Sequence, residues 1–157
     1  MGLGSRLNYD HYVYRKENPS FSQNFHDAQT YMPELGISGK KWNTNFAVGL
    51  EGRYESIQSS NLGSRNRSFL GAFIDVKRYF GKDFVVSGGL YYLQNSILGT
   101  KIYPGIEMNY KLNNRIQFFG NVGTGQRLPT FTDLYYKGKT NVSNPNLLPE
   151  NAVSSEL

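Results

Sequence analysis

The residues best suited to chemistry lie in the stretch from Arg127 to Glu150, RLPTFTDLYYKGKTNVSNPNLLPE. Tyr135 and Tyr136 combine an apolar ring with a polar tip, and Arg127 and Asn144 add polar groups nearby. Such a set suits contact with a ligand or with another part of the protein, not bond breaking. An equally direct reading is that these residues fold the loop itself. Pro129 and Pro149 fix φ and lack backbone donors, so neither belongs inside a central strand. Asn144-Pro145-Asn146 is a strong turn signal between them. A connection of more than twenty residues is long for a compact domain and points to function or disorder, and the aromatics argue against disorder.

No catalytic or metal-binding set competes with this stretch. Cysteine is absent, which removes disulfides and thiolate metal sites. His11 is expected on a strand and His26 in a loop beside Asp27, too few ligands for a dedicated metal site. Gly123-Thr124-Gly125 leads into Pro129 with no helix to carry a phosphate, and Gly39-Lys40-Lys41 lacks the rest of a phosphate loop. No cofactor is expected. The sequons at Asn66 and Asn141 matter only in a secretory pathway that nothing here suggests. A formal charge of +5 raises the question of nucleic acid, but the basic residues are scattered among acidic ones without a stripe. Leu70–Val76 resembles an RNA-binding strand only faintly, since the leading basic-Gly-aromatic residues are missing. The charge reads as a solvated surface, with no nucleic-acid partner.

The elements that must position the loop are strands. Aromatic residues make up 15% of the 157 residues and charged ones 18%, which excludes a disordered chain. Mean hydropathy is −0.53, and no apolar run approaches the ~20 residues of a membrane helix. A barrel strand escapes that test, because lipid-facing and lumen-facing residues alternate along it. Period-two alternation recurs throughout. From Trp42 to Thr124 the apolar set falls on even positions, as in Phe46, Val48, Leu50 and Ile102, Ile106, Met108. Before Trp42 it falls on odd ones: Leu7, Tyr9, Val13, Tyr31, Leu35 and Ile37. The opposite face carries Glu51, Arg53, Glu55, Asp75, Lys77, Glu107 and Asn109, a hydrated polar wall.

Connection lengths are expected to alternate. Short ones fall at Gly39–Lys41, Gly81–Asp83 and Asn113–Asn114, and longer ones at Asn18–Gln29, Gln58–Asn66, Ser96–Thr100 and Leu128–Glu150. That asymmetry describes an up-and-down antiparallel sheet of about eight strands with its larger loops at one end. Trp42, Phe80, Phe84 and Tyr110 flank short turns on the apolar parity, while Tyr54 and Tyr92 lie near the opposite ends. Two aromatic rows around smaller aliphatics fit the girdles of a membrane barrel. A soluble β-sandwich or carbohydrate-binding domain would explain the aromatics, though not the connections. The opening residues, Met1–Arg6 followed by Asn8 and Asp10, show no apolar leader and read as the interior of a longer chain. The alternation that starts near Asn151 stops at Leu157 and reads as an unfinished strand.

The Arg127–Glu150 stretch resembles the hallmark loop of TonB-dependent outer-membrane receptors. There an aromatic-Arg-Ala-Pro-Thr opening leads to Glu-Leu-Tyr and later to Asn-Pro-Asn-Leu-x-Pro-Glu. Arg127, Pro129, Thr130, Leu134, Tyr135, Asn144, Pro145, Asn146, Leu147, Pro149 and Glu150 match, while Gln126 and Leu128 depart. The resemblance implies an all-β, antiparallel transmembrane barrel segment over residues 1–157, about eight strands of an about 22-stranded barrel. It implies an N-terminal plug domain and C-terminal strands outside this chain, and residues 128–150 as an extracellular loop. It further implies a non-enzymatic receptor in the outer membrane of a Gram-negative bacterium, embedded in lipid. Such a receptor imports a large scarce nutrient with energy delivered by the TonB protein through the plug. The loop wording is most similar to the cobalamin and ferric-siderophore branch. Arg127, Tyr135, Tyr136 and Asn144 then become candidates for contact with ligand or plug. A complete eight-stranded outer-membrane barrel with a structural or adhesion role is the alternative, since eight strands close around a lumen filled by side chains.

Overall fold

A computed structural model describes residues 2–14, 24–97, 99–138 and 142–157. Eight strands follow one another: β1 (Gly2–Tyr14), β2 (Asn24–Lys41), β3 (Thr44–Ser59), β4 (Gly63–Phe80), β5 (Phe84–Asn95), β6 (Gly99–Lys111), β7 (Gln117–Arg127) and β8 (Glu150–Glu156). A short helix, α1 (Phe131–Tyr135), precedes β8. Each strand pairs antiparallel with its sequence neighbour in a single sheet ordered β1 to β8. β1 and β8 lie at its two ends, so among the described residues the sheet is open. No helix is long and apolar enough to cross a membrane, which bears on helices alone.

The alternation read from the sequence becomes two physical faces. One carries Leu7, Tyr31, Leu35, Ile37, Phe46, Val48, Leu50, Ile74, Leu90, Ile102, Ile106 and Val122, all solvent-exposed large hydrophobics. They share a face because register pairs the odd set of β2 with the even set of β3, as in Leu35↔Leu50 and Ile37↔Val48. The change of phase has a simple cause. Lys41 pairs with Thr44 across two residues, so partner numbers sum to an odd value. Three residues separate Ser59 from Gly63, Phe80 from Phe84 and Asn95 from Gly99, which keeps the phase even. At the end where β4 turns into β5 and β6 into β7, Phe80, Phe84, Tyr110 and Phe118 stand in register, with ring centroids 5.6 Å and 6.1 Å apart for the first two neighbouring pairs. Tyr31 pairs with Tyr54 toward the other end.

Several boundaries differ from the sequence reading. Gly39–Lys41 is not a turn but the end of β2, and the reversal is made by Trp42 and Asn43. Trp42 therefore leaves the aromatic row for the turn, 81% exposed and at φ 51°, a left-handed value that is costly for a bulky residue. Gln58–Asn66 is not a long loop: β3 and β4 run on to a three-residue turn at Ser60–Leu62. The β5–β6 connection is equally short. Both turns are closed by a left-handed glycine, Gly63 and Gly99. Side-chain oxygens of Ser59 and Asn95 accept backbone N–H groups within them. His26 lies in β2 rather than in a loop, and its neighbour Asp27 contacts His11 and Tyr9 across the β1–β2 pair. The loop reading of 18–23 lies outside the described residues.

One ladder is incomplete. β6 pairs with β7 only as far as Gly105↔Gly123, although β6 continues to Gly99 along β5. Pro104 accounts for this. Its carbonyl faces β7 and accepts the Thr124 hydroxyl at 3.1 Å, so its missing N–H would have faced the same way. On its other edge β7 pairs with β8 from Asn121 to Arg127.

Candidate functional site

The second face of the sheet curls around an open cavity of about 1420 Å³, lined by residues from every strand between β2 and β7 and by Leu128. Its wall mixes charged and polar side chains with glycines and with the rings of Phe69, Phe73, Tyr91 and Tyr103. Glu51 accepts the Tyr91 hydroxyl, and the Tyr91 and Tyr103 rings stack at 6.1 Å. Close approach explains some of the glycines. A Cβ at Gly49 would run into the Phe73 ring, and one at Gly71 into Glu51 and Tyr91.

The described residues between β7 and β8 form a defined unit against the β3–β4 hairpin. Thr130 and Asp133 form a reciprocal capping box at the start of α1, with bonds of 2.8 Å and 3.1 Å. The Asp133 carboxyl is held below the ordinary carboxylate range, first by the Thr130 backbone N–H and then by its hydroxyl. Past the helix, Lys137 bridges Val142, and the Ser143 N–H donates to the Tyr136 carbonyl. Asn144 turns the chain back toward α1: its N–H donates to the Asp133 carbonyl, and its side chain accepts the Asn146 N–H at 2.9 Å.

What seats the unit is the β3–β4 hairpin. Arg67 donates to the Pro129 carbonyl at 2.6 Å, pairs with Glu55 at 2.6 Å and lies over the Phe131 ring. Glu55 also holds Arg53, which covers Phe69 at 4.0 Å. Arg65 lies 4.1 Å over the Tyr135 ring. At the hairpin tip the Asn61 carboxamide donates to the Lys137 carbonyl at 2.8 Å and accepts the Lys137 N–H at 3.0 Å. Buried hydrophobic side chains among the described residues are Leu62, Phe69, Leu93 and Leu134, and three of these four belong to this junction. The apolar core of this chain is thus the seat of its loop.

The four residues expected from the sequence have separate places. Arg127 ends β7, largely exposed, 3.6 Å from Glu150 across the stem of the loop. Tyr135 is half-buried beneath Arg65, and Tyr136 is half-buried at the end of α1. Asn144 spends its side chain on the turn. Tyr135 and Tyr136 are sequence neighbours at the end of α1, the Asn144 backbone is tied back to that helix through Asp133, and Arg127 stands at the stem. Sequence reading missed Asn61, Arg65 and Arg67. Arg65-x-Arg67-x-Phe69 shares the parity of the polar wall, and that signal could have marked it.

A curled, up-and-down sheet with an apolar outer face, an inner one that carries the charged side chains and a loop seated against that inner side is the geometry of a barrel segment. The family model described as TonB dependent receptor-like, beta-barrel matches residues 2–157. The chain belongs to that family. Comparison with individual curated proteins finds no match. The match spans nearly the whole chain, well beyond the hallmark loop and the strands from Trp42 onward. TonB-dependent receptors are receptors and transporters rather than enzymes, and they reside in the outer membrane of Gram-negative bacteria. In that family the apolar face of the sheet is the one turned to lipid, and the cavity belongs to the barrel lumen.

Proposed function

We propose that this chain is the part of an outer-membrane receptor barrel that carries the ligand-facing hallmark loop. The receptor captures a large, scarce nutrient of the ferric-siderophore or cobalamin kind and imports it with energy delivered by the TonB protein through a plug domain. The observation that carries this reading is a cavity on the inner face of the sheet with a tyrosine-bearing loop seated beside it on the β3–β4 hairpin. Half-buried aromatic rings with polar tips suit a large ligand that offers both apolar surface and hydrogen-bonding groups. Tyr135 and Tyr136 are the favoured contact residues, with Arg127 and Asn144 at the rim of the same loop. The loop lies on the extracellular side, and lumen-wall residues such as Glu51, Asp75 and Glu107 face the plug.

The test uses the full-length protein in its own outer membrane. Uptake of a labelled ferric siderophore and of labelled cobalamin is followed with and without an uncoupler of the inner-membrane gradient. Energy-dependent accumulation of one of them is expected. Tyr136→Ala should weaken binding of that ligand while leaving membrane assembly intact. Accumulation of neither would remove the substrate class, and unchanged affinity in Tyr136→Ala would assign the loop to folding. If the isolated 157 residues refolded in detergent to a monodisperse, heat-modifiable species, the small-barrel alternative would regain ground.

A further inference from the structure

Where β2 turns into β3, the outer face ends in a row of three paired positions. Lys41 stands opposite Thr44 and Thr44 opposite Arg78, so all three belong to the apolar face. The Arg78 guanidinium donates to the Thr44 hydroxyl at 3.1 Å and lies 5.5 Å over the Phe80 ring. The Lys41 ammonium lies 4.7 Å over the Trp42 ring. Among the described residues neither cation has an ion-pair partner. Their surroundings add positive charge: Lys40, Lys82, Lys111 and Arg115 stand at this turn and those of β4–β5 and β6–β7, against Asp83 alone. Trp42 is out of place by turn chemistry. Of the two residues that reverse the chain only Trp42 is left-handed, a pattern that prefers glycine at its position. A bulky ring kept there at a steric cost, and exposed, has its reason outside the protein, and Trp suits the membrane–water interface. One step inward the Phe46 ring lies across Gly39, where a Cβ would strike it, so apolar surface begins directly beside the cationic row.

We propose that Lys41, Thr44 and Arg78 form a binding row for the phosphate of an anionic phospholipid, in the leaflet at the short-turn end of the sheet. β2 and β4 lie two strand spacings apart, ~10 Å, so both long side chains can reach one phosphate held over Thr44. Arg78 spends one donor on Thr44 and keeps the others. The Thr44 hydroxyl accepts that bond and has its own proton left to give. Charge-assisted bonds of this kind are the strong ones for phosphate oxygens. Trp42 and Phe46 lie beside the glycerol and the upper acyl chains. Charge selects the lipid, because a zwitterionic headgroup would bring its own ammonium into a basic rim. Each cation strengthens binding of an anionic lipid about fivefold, and the pair roughly 30-fold. The site rests on the membrane reading of the apolar face and not on what the receptor imports.

The test uses the full-length protein in detergent, titrated with phosphatidylglycerol or phosphatidylcholine and read by native mass spectrometry. Phosphatidylglycerol should bind roughly 30-fold more tightly at low salt, and the preference should shrink as salt rises. Lys41→Gln with Arg78→Gln should abolish that preference. Lys82→Gln with Arg115→Gln removes the same charge away from the row and should keep most of it. Trp42→Gly relaxes the turn, so it should raise thermal stability and yet weaken phosphatidylglycerol binding. That opposite movement separates lipid contact from folding even where the double variant assembles poorly. Inorganic phosphate at the lipid's concentration should not displace it. Equal affinity for the two lipids, equal loss in the row and control variants, displacement by inorganic phosphate, or undiminished binding in Trp42→Gly would each overturn the site. Binding of neither lipid would remove the membrane reading along with it.

Discussion

Ile106→Arg offers the sharpest test of which face of the sheet meets lipid. Ile106 is more than half exposed on β6, four residues from Tyr110 in the lower aromatic row. At ~3.4 Å per residue and a tilt of about 40°, that places it roughly 10 Å above the row. An apolar band about 25 Å tall then has Ile106 near its middle. Leu50 reaches a comparable depth from the other side, four residues below Tyr54 on β3. Arg at such depth costs about 2–4 kcal/mol, a factor of roughly 30 to 1000 in the folded population. The inner face supplies the control. Asn109 accepts a hydrogen bond from Gln117 at 2.9 Å in an exposed setting, so Asn109→Arg should cost only about 1 kcal/mol. Asn45→Arg, on the cavity wall, is a second control. The assay is the heat-modifiable folded fraction of full-length protein in outer membranes. Equal yields of Leu50→Arg, Ile106→Arg, Asn45→Arg and Asn109→Arg would refute the assignment of faces.

Further outcomes follow from the loop and the wall. Arg67→Ala should destabilise the loop junction by about 2–4 kcal/mol, read from denaturant melting and loop exchange. The Arg67 and Glu55 side chains are only 11% and 17% exposed, between the surface and buried limits for ion pairs. Arg67→Lys should rescue little, since a point charge cannot serve Glu55 and Pro129 together. The depressed Asp133 carboxyl contributes stability above its unfolded value of about 3.9 and loses it as pH falls through the folded value. Protection of α1 should accordingly decline only in acid below about pH 3.9, and Asp133→Asn should flatten that dependence. Gly49→Ala should cost about 1–3 kcal/mol by crowding Phe73, whereas Gly123→Ala, whose Cβ meets nothing within 4 Å, should be neutral in thermal melting.

Face assignment was legible in the sequence because one parity is apolar over the middle of every well-described strand, and register then leaves no freedom: a slip of one would reverse both faces. Strand ends were not legible, for a reason seen in Gln58, Ser59 and Ser64–Asn66. There the ladder continues, yet neither side of it needs apolar residues, so alternation fades before the hydrogen bonds do. Polar residues in a strand that has left the apolar band look like a loop. Trp42 misled for the opposite reason: its aromatic character fitted the row while its backbone made the turn.

The loop motif was legible as a family mark and silent about its own placement. Nothing in Asn61 or Lys137, 76 positions apart, announces that one carboxamide will hold the other's backbone. The same applies to Tyr135, whose ring was free to be offered to a ligand until Arg65 covered one face of it. That contact divides the two tyrosines by role. Truncating Tyr135 removes a cation–π contact at the seat as well as any contact it makes with ligand, so a loss of binding there is ambiguous. Tyr136 has no such ring contact to Arg65, and its bonds to Thr132 and Ser143 are made by the backbone, which Ala retains. Tyr136→Ala is thus the substitution that separates capture from folding, and comparing it with Tyr135→Ala measures how much of the loop's aromatic surface serves each.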